Sequence, residues 1–235
     1  MSASSQSSSS LRIFSTSVGT KLLIGITGLA LFGYLLIHIA GNLLVFFGPN
    51  VFNRYAFVME SNPLLPVIEI LLLLIFLIHI YKTIRMWIGN RAARPIAYVK
   101  KERAGYTSRK SLASSTMIFT GLWLIVFLVI HAKTFREGWA HDYPWPAGGR
   151  DLYRTEMETF SNPLTVGFYV LTLVMIGLHL SHGFSSAIQS LGLNHPRWTP
   201  RFFTLGKVLA VLIAGAFIVI AVWAYTQHGV RQVVL

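Results

Sequence analysis

The chain contains no cysteine among its 235 residues. That absence excludes disulfides, thiolate metal sites and cysteine-ligated iron–sulfur clusters within this chain. Charge is scarce as well. Charged residues make up 12% of the sequence, where a soluble domain carries about 25%. Acid is scarcest, with 8 Asp and Glu against 20 Lys and Arg, for a net charge of +12. What fills the gap is apolar: 54% of residues are hydrophobic, and mean hydropathy is +0.59. The apolar residues gather in five stretches, about 22–47, 64–88, 112–132, 163–188 and 203–227. A bilayer core of about 30 Å needs about 20 apolar residues as a helix, and irregular backbone cannot face lipid. The expected fold is therefore an all-α membrane protein, a bundle of five transmembrane helices. The alternative, a soluble all-α protein, calls for amphipathic periodicity.

The basic excess does not point to nucleic acid, because of how it is distributed. Most Lys and Arg lie in or beside three regions: Arg12 and Lys21, the segment 82–110, and residues 197–207. Only Glu102 opposes them there. The remaining loops set Lys133, Arg136, Arg150 and Arg154 against Glu137, Asp142, Asp151, Glu156 and Glu158. This asymmetry is the positive-inside pattern. It predicts a cytoplasmic N-terminus and 89–110 loop, and a C-terminus outside, as five crossings require. The start "MSASSQSSSSLRIFSTS" is Ser-rich and lacks a basic segment followed by an apolar core and cleavage site. Residues 1–17 read as a disordered cytoplasmic tail rather than a signal peptide, and 18–235 as the membrane domain.

An internal repeat organises the first four stretches. "TGLALFGYLLIHIA" at 27–40 matches "TGLWLIVFLVIHAK" at 120–133: both run Thr-Gly-Leu, seven residues, Ile-His. "SNPLLPVIEILLLLIFLIHIYK" from Ser61 matches "SNPLTVGFYVLTLVMIGLHLSH" from Ser161, each with a histidine 18 residues after the serine. Helices 1–2 and 3–4 thus read as a tandem hairpin repeat, with a longer outer loop in the second copy and an extra fifth helix. Ser-Asn-Pro suits a helix start, since Ser or Asn caps and Pro fits the first turn.

The repeat registers four histidines: His38, His79, His131 and His179. A lone intramembrane histidine is as well explained by a hydrogen bond to a neighbouring helix. Four in register point to function, because ionisable groups in a membrane are expensive. Helices 1 and 3 run outward and carry His38 and His131 in their later halves. Helices 2 and 4 run inward and carry His79 and His179 in theirs. The two levels should lie about 10–15 Å apart. Two pairs at two levels suit two bis-histidine haems, each imidazole giving one nitrogen to iron and its other N–H to a protein acceptor. Without cysteine there is no thioether link, so the haem is expected to be type b.

Other residues carry paired readings. Gly28, Gly33, Gly41, Gly121, Gly177 and Gly183 suit close approach of a flat cofactor, or ordinary helix packing. His182, one turn from His179, is the alternative inner ligand, or a partner for a propionate or quinone. Lys82 and Arg85 either pair with haem propionates or snorkel to the interface. Glu69, the one carboxylate inside a span, is either a proton group of an outer quinone site or an acid at a wet helix end. His141, His195 and His228 fall in loops or span ends and are expected to be solvated.

The chain resembles the cytochrome b subunit of succinate dehydrogenase and fumarate reductase, in its single-anchor, two-haem form that works with menaquinone. The likeness is carried by "IHIAGNLLVFFGPNVFNRYA", "HIYKTIRMWIGNRAARPIAYVKK", "SSTMIFTGLWLIVFLVIHAKTFR" and "GLHLSHGFSSAIQSLG". It implies that His38 and His131 bind an outer haem b, and His79 and His179 an inner one. It further implies a flavoprotein subunit that oxidises succinate, an iron–sulfur subunit on the cytoplasmic side, a quinone substrate, and a multi-subunit complex in the cytoplasmic membrane. An acidic residue near the outer haem also belongs to the implied pattern, without a motif that matches Glu69. The basic 89–110 loop is either a docking surface for the iron–sulfur subunit or a contact for anionic lipid. The competing functions are the cytochrome b anchor of a hydrogenase or formate dehydrogenase, and a transporter whose histidines carry protons or metal ions.

Overall fold

A computed structural model describes residues 16–93, 112–137 and 149–233. The Ser-rich stretch 1–15, the basic segment 94–111 and His141 lie outside the described residues. Five helices are long and apolar enough to cross a membrane, over Ser17–Phe47, Leu65–Ala92, Ala113–Arg136, Pro163–Ser190 and Thr199–Gln227. The chain is thus all-helical among the described residues, in keeping with the hydropathy reading.

Helix α1 (Ser17–Asn42) starts at Thr16, whose hydroxyl accepts from Gly19 N–H at 3.0 Å. It tightens into a 3₁₀ turn, Leu43–Phe47, that ends at Gly48 with φ +88°. A β-carbon is unfavourable in that left-handed conformation. Two short helices follow from stretches that hydropathy does not mark: α2 (Pro49–Glu60) after Gly48, and α5 (Leu152–Thr159) before the fourth span. The long helices α3 (Leu65–Ala92), α4 (Leu112–Ala132), α6 (Pro163–Ser190) and α7 (Thr199–Val233) complete the order. Asn162 caps α6 as foreseen, its Oδ1 accepting from Leu164 N–H at 2.8 Å; in the matching stretch α3 starts later, with Leu64 at its N-cap, and Asn62 Oδ1 accepts from Leu64 N–H at 2.9 Å in the turn before it. After His131, α4 widens into a π-helical turn, Lys133–Glu137; such turns are frequent at functional sites.

Helix α6 is the centre of the bundle and packs against α7, α1 and α4. Helix α1 packs against α3 on its other side, whereas α3 and α4 barely meet. Around the four-helix ring the order is therefore α3, α1, α6, α4. The diagonal pairs, α1 with α4 and α3 with α6, form no packed interface. Small residues bring α6 and α7 together, as is usual where lipid supplies no hydrophobic drive. Ala210 and Ala214 are buried, and a β-carbon on Gly177 would touch that of Ala214 at 3.3 Å. Helix α3 has no buried residue, and its Val67, Leu71, Leu74 and Ile78 are exposed.

The buried core gathers at one end of the bundle. There Phe52 of α2 and Tyr153, Met157 and Phe160 in and after α5 pack on Ile39, Tyr169, Ile220 and Ala224. Asn53, 2% exposed, clamps the two short helices: its Nδ2 donates to Asp151 Oδ1 at 2.8 Å, and its Oδ1 accepts from Tyr153 N–H at 2.9 Å. Arg150 adds a bond to the Phe135 carbonyl at 2.9 Å and an ion pair with Glu60 at 3.5 Å. This end lies opposite the one with Lys21, Arg85, Arg91, Arg197, Arg201 and Lys207.

Candidate functional site

The four histidines come from the two diagonal pairs of helices. His38 on α1 and His131 on α4 meet with ring centroids 6.0 Å apart and planes at 88°. His79 is on α3 and His179 on α6, and His179 lies within electrostatic reach of both His79 and His182. All four histidines are half-buried. His38 and His131 each lie 11 residues beyond a threonine, Thr27 and Thr120, that touches the other pair. At 1.5 Å per residue this sets the levels about 16 Å apart along the helices, slightly beyond the expected range.

Different surroundings hold the two pairs. At the level nearer the α2–α5 cap, aromatic rings do it. Tyr34 stacks on His38 at 5.4 Å and Phe217 lies at 5.5 Å. Phe127 stacks on His131 at 5.3 Å, and Phe135 lies at 5.1 Å. Polar contacts there are long: Asn42 Nδ2 to His38 Nδ1, and Tyr169 hydroxyl to His131 Nδ1, both 3.4 Å. At the other level, hydroxyls do it. Thr27 Oγ1 is 3.0 Å from His79 Nδ1, and Thr120 Oγ1 is 3.1 Å from His179 Nδ1. Both threonines begin the Thr-Gly-Leu of the repeat. The following glycine flanks the same ring: a β-carbon on Gly28 would come within 3.2 Å of His79 Cε1, and one on Gly121 within 3.5 Å of His179 Cε1. The sequence reading missed both threonines as site residues. The signal was present, since they stand at fixed spacing before His38 and His131.

The other candidate residues divide. Gly33 and Gly183 face open space, while Gly41 is filled by Tyr55 and Gly177 by α7. Among the described residues, His182 has no hydrogen bond of its own. Lys82 is half-buried, and Arg85 lies exposed over Tyr81, with a 3.3 Å bond to its hydroxyl. One turn beyond His79 on the same face, Thr83 buries its hydroxyl without any hydrogen-bond partner. Glu69 is exposed and ion-paired with Arg136 at 3.4 Å. It still acts electrostatically on Tyr34, the ring stacked on His38. His195 is exposed as expected, and its Nδ1 accepts from Arg197 N–H at 3.2 Å.

The buried carboxylate is Glu156, 3% exposed under the α5 cap. Loss of water pushes its pKa up to about 8, and Tyr169, which contacts His131, senses it. The signal for it was its place three residues after Tyr153, on the face α5 turns inward.

Chemically, each level offers two imidazoles and little else. No group of three or more His, Asp or Glu converges among the described residues. The chain has no match among family models, curated proteins or solved structures.

Proposed function

We propose that this chain is the dihaem cytochrome b anchor of a succinate:quinone oxidoreductase, carrying electrons between an iron–sulfur subunit and a quinone. The observation that carries the reading is the meeting of His38 and His131 across one diagonal of the helix ring, with His79 and His179 within electrostatic reach across the other. Metal–imidazole bonds are about 2.0–2.1 Å long, so one metal held between two imidazoles would keep their ring centroids about 6 Å apart. The His38–His131 separation of 6.0 Å fits that spacing.

Haem b, when bound, supplies one-electron carriage. The chain's own residues do the rest. His38 and His131 would hold an outer group, and His79 and His179 an inner one. The matched threonine contacts favour His179 over His182, which has no counterpart in the first hairpin, and support the tandem repeat. The glycines at 33 and 183, with open space before them, suit a flat macrocycle. The orphan Thr83 hydroxyl suits a carboxylate at the inner level, beside Lys82; Arg85, turned onto Tyr81, suits the interface. Held by two histidines, each haem would supply electron transfer rather than small-substrate binding. At the outer end, Glu69 with Arg136 and Tyr34 beside His38 form the candidate quinone and proton site. The basic end faces the cytoplasm, where the iron–sulfur and flavoprotein subunits dock and succinate chemistry takes place. The membrane is then the cytoplasmic one, and the C-terminus lies outside.

Reduced-minus-oxidised spectra of the purified chain test the reading. The expected result is two low-spin haem b signals. His79→Ala and His179→Ala each lose one, His38→Ala and His131→Ala the other. A chain without haem overturns the electron-transfer reading, and retention of both haems in His79→Ala overturns the ligand assignment. Copurification of flavin and iron–sulfur subunits tests the assembly.

A further inference from the structure

We infer that Thr27 and Thr120 are positioning residues that fix the tautomer and aim of the inner histidine pair, so that His79 and His179 both present Nε2 to one metal. The inference rests on the dihaem reading and adds to it a mechanism of preorganisation.

The argument is a count of protons. A threonine hydroxyl has one proton to donate and lone pairs to accept with. Thr27 donates its proton along its own helix, to the Leu23 carbonyl at 2.7 Å with Ile24 at 3.2 Å. Thr120 does the same, to Thr116 at 3.2 Å and Met117 at 3.1 Å. With that proton committed, each oxygen can only accept from the imidazole beside it. On this assignment of the hydroxyl protons, Nδ1 is the protonated nitrogen of both rings. A neutral imidazole with Nδ1–H has its free lone pair on Nε2. Thr27 and Thr120 are 7% and 4% exposed, so water does not compete for the contact.

Two features make this a device rather than a chance contact. The same residue, in the same Thr-Gly-Leu, meets the histidine of the partner helix in both hairpins. Gly28 and Gly121 then leave the backbone bare where each ring lies against it. The outer pair lacks the arrangement: its Nδ1 atoms face Asn42 and Tyr169 at 3.4 Å. Helices α1 and α4 therefore each supply a ligand at the outer level and a seat for a ligand at the inner one.

A ring that donates its second N–H is a more basic ligand, and losing such a partner typically costs about 10–100-fold in metal retention. Greater basicity favours the oxidised, more highly charged metal. Thr27→Val and Thr120→Val should therefore raise the midpoint potential of the inner haem, move its low-spin electron paramagnetic resonance signal and weaken its retention about tenfold. The outer haem should be unchanged. Thr27→Ser and Thr120→Ser, which keep the hydroxyl, should restore the inner signals. Unchanged inner potential and resonance in the valine variants overturn the inference. So does a serine variant that loses the inner haem as the valine variant does, because packing and not the hydroxyl then holds the ring. If the wild-type chain binds no haem, the functional reading fails and the positioning remains measurable. Histidine-labelled ¹⁵N spectra then report protonated Nδ1 at His79 and His179 if the seats work as described, and protonated Nε2 if they do not.

Discussion

A carboxyl keeps its proton at neutral pH when it is shut away from water and from cations, and Glu156 is in that position. Its proton is held up to about pH 8, against an ordinary value of 4.5. Below pH 4.5 folded and unfolded chains both bind this proton, and it has no effect on stability. Between 4.5 and 8 the unfolded chain releases it while the folded chain retains it, so stability falls as pH rises. Above 8 both have released it, and a constant penalty on the order of a few kcal/mol remains. Glu156→Gln should therefore gain thermal stability relative to the wild type as pH climbs from 4.5 to 8, then hold level. A difference between the two chains that ignores pH would show that Glu156 ionises freely. At this scale the sequence disclosed the four histidines, because register and depth depend only on spacing along a helix. It did not disclose that Thr27 meets His79 or that Thr120 meets His179. Those contacts depend on how far one helix is rotated and displaced against its neighbour, which spacing within a helix leaves open.

Among the elements, the short helices α2 and α5 were invisible to hydropathy, which registers only long apolar runs. Their capping residues were legible in principle: Pro49 opens α2, and Asp151 caps α5 through Arg154 N–H at 2.9 Å. What tied them together was not, since Asn53 and Asp151 are 98 residues apart. Asn53→Ala leaves the Tyr153 N–H without its acceptor in a buried site, at a cost of about 1–3 kcal/mol. The expected result is a lower melting temperature in detergent and faster proteolysis around 49–60 and 149–160. Equal protease resistance in variant and wild type would mean that apolar packing alone holds the cap. The π-helical turn at Lys133–Glu137 went unseen for a related reason: an extra residue in a turn leaves no mark in an apolar pattern.

For the whole molecule, five helices long and apolar enough to cross a membrane, and a helical bundle among the described residues, were legible because composition alone sets them. The native absence of cysteine makes the orientation easy to test. Single Ser9→Cys and Gln232→Cys variants should react with an impermeant thiol reagent from the cytoplasmic and the external side respectively. The reverse pattern would refute the charge-based topology. The order of helices around the ring was not legible, because in lipid no hydrophobic drive selects which apolar faces meet. That same fact bears on α3. A helix without a buried residue, with lipid on its outer sides, has its height fixed chiefly by its packing on α1 and by the Glu69–Arg136 pair. The Thr27–His79 contact works as a dowel. A slip of one turn, about 5.4 Å, would pull the peg from its hole, so the hydroxyl that aims a ring also sets the height at which the whole helix stands.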